Sequence, residues 1–355
     1  MPDPIRTPFR TLFRGRTQGA DAAGRGGGGA GTVTDSWERA GRILTSAGLP
    51  PDSLADCRPL TGGTYNAVEE LRLADGSRYV LKIPPPETVP GLSHEVRLLV
   101  SEAEFYRAAG TVGVPAPNVV ALGDSHLLMT ACPGDPWEDS LTSAEQTLLR
   151  GELGGLVARL HTVTGPAFGY PSGALGPLAP DWRTAFAGMF DAVLDDAVRY
   201  DAWLPVPVDE VARTARAAYD ALDEVTVPHL VHFDLWQGNI LVDRSAGAPR
   251  IGGLIDGERM FWGDPVADFV SLALLGDIRG DEAFLRGYRD AGGSVEFEEG
   301  VCRRLALYRA YLDLIMLTEV VPREMGEKRK KWAREVVGPA LMGALGDLSL
   351  ARRPR

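Results

Sequence analysis

The stretch His232-Phe233-Asp234-Leu235-Trp236-Gln237-Gly238-Asn239, with Ile251-Gly252-Gly253-Leu254-Ile255-Asp256 behind it, restricts this chain more than any other. Apolar runs at 240–243 and 251–255 flank a Ser-Ala-Gly-Ala-Pro turn, a pattern that predicts two strands joined by a short loop. Such a hairpin returns Asp256 close to Asn239. Two carboxylates and a carboxamide are thereby gathered in one place. Magnesium is a hard cation that takes oxygen ligands and substrate phosphates, so Asn239 and Asp256 are the metal candidates. Asp234 is left over for an acceptor hydroxyl.

An Asp five residues before an Asn, with a second Asp on the next strand, is the spacing protein kinases use for a base and two magnesium ligands. The segment resembles the signature of the aminoglycoside phosphotransferase family, the bacterial small-molecule branch of the kinase-like fold, related to fructosamine, choline and homoserine kinases. His232, Asp234, Asn239 and the Ile255-Asp256 pair stand where that motif places them. The resemblance implies an α+β, bilobal, protein-kinase-like fold with a small β-rich N-terminal lobe and a larger, mainly helical C-terminal lobe. It also implies in-line transfer of a γ-phosphoryl group from ATP, or from GTP, to an alcohol, with Mg²⁺ as cofactor. Asp234 is then the catalytic residue, and His232 shapes the loop. Two departures stand out. Phe233 replaces the glycine of many relatives, and Gly257-Glu258 follows the metal aspartate where protein kinases have Phe-Gly.

A chain of 355 residues is long enough for two lobes. Its net charge of −11 argues against nucleic acid as a partner. No run of 18 apolar residues lacks a charge, so no membrane partner is expected. Cys57, Cys132 and Cys302 are odd in number and widely spaced, which suits a reduced cytoplasm. Residues 132–321 hold 30 acidic against 15 basic side chains, a net of −15, whereas residues 36–131 hold 11 against 8, a net of −3. Steering of a cationic acceptor and plain solubility both account for that excess.

Arginine dominates the basic residues, and Lys82 is the only lysine before Lys328. A compact ammonium kept on a strand, in Tyr79-Val80-Leu81-Lys82, suggests a task for a point charge. Ahead of it, Leu60 to Asn66 contains Gly62 and Gly63, which allow backbone to approach a phosphate closely. Lys82 is therefore the phosphate-binding candidate. The resemblance adds a helix glutamate that pairs with it: Glu102 matches best, with Glu95 and Glu104 as rivals.

Residues 1–34 read as a disordered Gly/Arg-rich tail, 35–131 as the nucleotide-binding lobe and 132–355 as the catalytic and acceptor-binding lobe. Helices are predicted at 37–47, 94–109, 144–162, 181–200, 208–225 and 305–321, and strands at 60–68, 78–83, 117–122 and 126–131. The breaker cluster from Cys132 to Trp137 marks a hinge, and backbone near Met129 and Ala131 is offered to an adenine edge. Thr142-Ser143-Ala144-Glu145 is a capping box. In Gly263-Asp264-Pro265, Asp264 caps a helix and Asp268 braces the catalytic loop, as in the resembled family. Asp191, Asp195 and Asp196 face either water or a cationic acceptor.

The first expectation for the acceptor is an antibiotic, an aminoglycoside or a similar natural product, with resistance as the outcome. The alternatives are a metabolic sugar or ketosamine kinase, which shares Asp234-Leu235-Trp236, and a nucleotide-binding regulator without turnover. Monomer and homodimer both remain open.

Overall fold

Leu54, Leu71, Leu73, Leu81 and Leu128 form the buried cluster of the first sheet, with Leu71 and Leu73 alternating with exposed Arg72. The computed structural model describes residues 29–60, 65–138 and 140–350, with the side chains of 29–34 excluded. Strands β1 (Leu54–Pro59), β2 (Ala67–Leu73), β3 (Arg78–Ile83), β4 (Val119–Gly123) and β5 (His126–Thr130) form an antiparallel sheet in the order β1-β2-β3-β5-β4. Helix α1 (Gly29–Ser46) lays Ala40, Ile43 and Leu44 onto one face of it. In register, Lys82 on β3 faces Val68 on β2 and Leu127 on β5.

The strand predicted at 60–68 is displaced. β1 ends at Pro59 and β2 begins at Ala67, with Leu54 and Leu71 of those strands filling the core. Gly62 and Gly63 lie outside the described residues, as does the chain before Gly29. Helix α1 begins at Gly29, inside the segment expected to be a tail.

The chain divides into two compact units. One comprises the described residues up to Val89 together with Pro117–Ala131, and the other comprises Pro90–Ala116 and the chain from Cys132. Residues 90–116, expected in the first lobe, thus pack in the second unit. The reason lies in helix α2 (Leu98–Thr111), which buries Phe105 against Gly257 and the His232 ring, and in Pro115, whose carbonyl accepts the N–H of Leu254 at 2.8 Å.

In the second unit, β6 (Asp135–Pro136) pairs with β8 (Ile240–Asp243), which pairs with β9 (Arg250–Leu254); β7 (His229–Val231) pairs with β10 (Phe261–Gly263). Around them stand α3 (Ser143–Leu160), α4 (Trp182–Arg199), α5 (Val208–Arg216), α6 (Asp268–Leu272), α7 (Glu282–Asp290) and α8 (Glu299–Thr318). The capping box at the start of α3 is present: Thr142 Oγ1 accepts from Glu145 N at 3.3 Å, and Glu145 Oε2 from Thr142 N at 2.8 Å. The helix expected over 208–225 stops at Arg216 and gives way to a 3₁₀ segment, Tyr219–Glu224. Trp182, Phe186, Phe190, Phe233, Phe261, Tyr308 and Tyr311 make an aromatic core with ring centroids 5.1–6.1 Å apart. No described helix is long and apolar enough to cross a membrane.

Candidate active site

The hairpin read from the sequence is present, with Ile240 opposite Leu254 and Leu241 opposite Gly253. Asn239 enters it at the near end and Asp256 leaves it at the same end, and the N–H of Ile255 donates to the Asn239 carbonyl at 3.0 Å. The Asn239 side chain points back into the loop. Its Nδ2 donates to the Asp234 carbonyl at 2.8 Å and to Asp234 Oδ2 at 3.1 Å. With the amide nitrogen so engaged, Oδ1 is left as the acceptor face.

The loop itself is held by carboxylate and imidazole groups. Asp268, fully buried on α6, accepts the N–H groups of His232 at 3.0 Å and Phe233 at 2.7 Å, and contacts His161 Nε2 at 3.0 Å. Ser271 Oγ takes the N–H of Leu235 at 3.0 Å. His232 donates from Nε2 to the Ile255 carbonyl at 3.0 Å and accepts the Asp234 N–H on Nδ1 at 3.2 Å. Burial keeps this ring below its ordinary pKa, so it is neutral and acts as a fixed spacer between loop and hairpin. Phe233 has φ of 63°, the left-handed region glycine favours, and its fully buried ring packs on Phe261 and Tyr311. Packing thus holds a conformation that a glycine adopts without strain.

Burial raises the Asp234 carboxyl to about 7, Arg259 opposes the rise, and the negative charges of Asp256 and Glu319 add to it. A carboxyl balanced in this way suits proton acceptance near neutral pH. Asp256 also lies in the left-handed region, with φ 65° and ψ 42°. One carboxylate oxygen from each of Glu102, Asp256 and Glu258 falls within 4.8 Å of the others. These three carboxylates offer hard oxygen atoms, and Asn239 Oδ1 is of the same kind, a donor chemistry that fits magnesium and would not fit a soft metal.

The remaining expected residues fall as follows. Lys82 is buried on β3 of the first unit, and Glu102 is fully buried on α2 of the second. Of the rivals to Glu102, Glu95 is engaged with Arg323, and Glu104 is half-buried. Met129 is buried in mid-strand, opposite Val80 and Val119. The N–H of Ala131 donates to the Arg78 carbonyl at 3.0 Å, so the sheet already holds the amide that was expected to face an adenine edge. Among the three helix aspartates, Asp196 is buried and accepts Ser93 N at 2.6 Å and Ser93 Oγ at 2.7 Å. Asp191 pairs with Arg216 at 2.8 Å, and Asp195 is exposed.

A model of the phosphotransferase enzyme family matches residues 56–306, most of the chain. The chain belongs to this family. This phosphotransferase is 28% identical over 279 residues to a probable ketoamine kinase of Lactiplantibacillus plantarum, covering 75% of this chain and 89% of that one. Its fold is similar to that of a putative fructosamine-3-kinase from Thermobifida fusca, with a TM-score of 0.63 at 21% identity, over 87% of this chain and 99% of the other. It is also similar to that of an ADP-bound aminoglycoside phosphotransferase, with a TM-score of 0.52 at 17% identity, over 87% and 97%. The fold is therefore the mixed helix-and-sheet, kinase-like one that the motif implied.

One group of site residues was not legible in the sequence. Arg259 pairs with Glu319 at 2.8 Å, Glu319 approaches Arg323 at 3.3 Å, and Arg323 pairs with Glu95, whose Oε2 accepts Leu92 N at 2.9 Å. All four are largely buried, and a buried charge is tolerated only when paired and hydrogen-bonded in this manner. Arg259 is three residues past Asp256, whereas its partners come from α8's end and from the segment before α2. No spacing rule joins positions so far apart.

Proposed function

We propose that this phosphotransferase moves the γ-phosphoryl group of ATP to a hydroxyl of a sugar-derived acceptor of the ketoamine class. The observation that carries the phosphotransfer chemistry is the grouping of Asp234, Asn239 and Asp256 at one end of the β8–β9 hairpin, with Asn239 bonded to Asp234. In this reading Asp234 accepts the hydrogen bond of the acceptor hydroxyl, aligns its oxygen for in-line attack and takes the proton late. Asn239 Oδ1 and the Asp256 carboxylate would hold magnesium, which supplies charge neutralisation on the transferring phosphates. Lys82 binds nucleotide phosphates, and neutral His232 keeps the loop at its distance from the hairpin.

For the acceptor, the ketoamine reading displaces the antibiotic one because the relative at 28% identity over 279 residues is a probable ketoamine kinase. The antibiotic reading keeps one supporting observation, the net charge of −15 over residues 132–321, which favours a cationic acceptor. Against it, Asp191 is neutralised by Arg216 and Asp196 is engaged by Ser93 and Arg199.

The test is acceptor-dependent ADP release, with product identified by mass, over a panel of ketoamines, free sugars, aminoglycosides and macrolides. Stimulation by ketoamines with a phosphorylated product is expected. Stimulation by antibiotics alone would install the second reading, and nucleotide binding without any acceptor-dependent turnover would make the chain a regulator.

A further inference from the structure

Asp256 is held in a strained backbone conformation, and what holds it comes from a helix far away in sequence. Non-glycine residues with positive φ persist only where surrounding contacts over-determine them. The N–H of Asp256 donates to the hydroxyl of Tyr106 at 3.0 Å, and that hydroxyl donates in turn to Glu102 Oε1 at 2.5 Å. Tyr106 and Glu102 sit one turn apart on α2, and both are buried. The neighbouring Phe105 ring packs edge-on against His232, with centroids 4.6 Å apart. It also occupies the space over Gly257, where an added Cβ would come within 2.4 Å of the ring. Two adjacent aromatic residues of α2 therefore fix both sides of the site: Phe105 backs the catalytic loop and the turn after Asp256, and Tyr106 takes the strained amide itself.

We propose that Tyr106 is a positioning residue for the metal ligand Asp256. Its hydroxyl is the acceptor that stabilises the left-handed backbone, and Glu102 orients the hydroxyl by accepting its hydrogen bond. Without that acceptor, the half-buried Asp256 N–H loses the hydrogen bond that holds it, and the turn relaxes toward ordinary φ values, carrying the carboxylate away from Glu258 and Glu102. A lost hydrogen bond of this kind costs enough to change a local equilibrium by about tenfold. The proposal rests on the phosphotransfer reading, in that Asp256 is taken to ligate the divalent ion.

The experiment uses the full chain with a non-hydrolysable ATP analogue and Mn²⁺ titrated by electron paramagnetic resonance, with Tyr106→Phe, Asp256→Asn and the double variant. Tyr106→Phe is expected to bind Mn²⁺ about tenfold more weakly. Its kcat should recover at high metal concentration, and its melting temperature should stay close to that of the native chain. Asp256→Asn should lose most of the Mn²⁺ affinity, and adding Tyr106→Phe to it should change nothing further. Native Mn²⁺ affinity in Tyr106→Phe, or the same loss repeated on top of Asp256→Asn, overturns the positioning role while leaving Asp256 as a ligand. Native affinity in Asp256→Asn overturns the metal assignment itself and this proposal with it.

Discussion

The aspartates of the catalytic loop and those of helix α4 are the same residue type in the same unit, yet they do opposite things. In and around the loop, Asp268 gathers two backbone amides and an imidazole, and Asp234 remains with a carboxyl raised to about 7. On α4, Asp196 is engaged by Ser93 and Arg199, and Asp191 by Arg216. In the proposed reaction the first set shapes chemistry, whereas the second fastens helices. The lesson is that a carboxylate's role follows from how its partners engage it: Asp268 and Asp196, each bonded to a backbone amide, are fastened as scaffold, whereas the Asp234 carboxylate takes the side-chain amide of Asn239. A backbone amide cannot swing away to follow a substrate, so a carboxylate bound to one becomes part of the scaffold.

Four substitutions sharpen or break that contrast. Asp234→Ala should cost the most, roughly two to four decades in kcat on the scale of a lost general base, with nucleotide affinity retained. Steady-state kinetics beside a nucleotide-binding titration checks it, and full turnover with the true acceptor sinks the assignment. Asp313→Asn comes next and concerns stability. Asp313 is buried on α8 beside a cavity of about 30 Å³ lined in part by Val270, Leu275, Arg309 and Ala340. Burial raises its carboxyl to about 7, opposed only by Arg309.

The sign follows from proton counting. The unfolded chain loses this proton near 3.8 and the folded chain near 7, so between those values the folded state binds more protons. Stability is then highest below about pH 4, falls as pH rises through 7, and is flat beyond. The full fall is on the order of 4 kcal/mol, and Asp313→Asn should abolish this part of the slope. Urea midpoints at pH 5 and pH 8 measure it; an unchanged slope would mean the carboxyl is not held neutral.

Asp268→Asn should cost about 2 kcal/mol, because amides that had a charged acceptor are left with a weaker one. Its kcat should fall more than its nucleotide affinity, since the damage falls on the loop carrying Asp234. Equal losses in both would make Asp268 a general stabiliser and erase the distinction drawn above. Asp191→Asn should do least. An exposed pair with Arg216 contributes less than about 1 kcal/mol, and turnover of a ketoamine or a free sugar should be unaffected. A rise in KM confined to cationic acceptors would instead move α4 into the acceptor site.

Much of the site was legible because it is local. The spacing from Asp234 to Asn239 and the hairpin to Asp256 lie within 23 consecutive residues, and hairpin geometry alone brings the ends together. The capping box at Thr142 was legible for the same reason. What was misread involved competition between distant claims on one group. Backbone near Met129 and Ala131 was offered to an adenine edge, and within that stretch the Ala131 N–H is bonded to the Arg78 carbonyl; residues 90–116 were assigned to one unit and pack in the other. Helix α2 carries an apolar face that either unit's core could have accepted, and its sequence does not say which.

By itself, the sequence determined the hairpin, the capping box and the chemical groups available at the hairpin's end, because backbone geometry converts short spacings directly into distances. Only the tertiary structure decided that Tyr106 takes the amide of Asp256, that Phe105 backs His232, and that Glu95, Arg323, Glu319 and Arg259 share one buried chain of charge. Apart from Glu319 and Arg323, which are four positions apart, those partners are 60 to 228 positions apart. Bringing them together depends on how whole apolar faces pack, which no local spacing encodes.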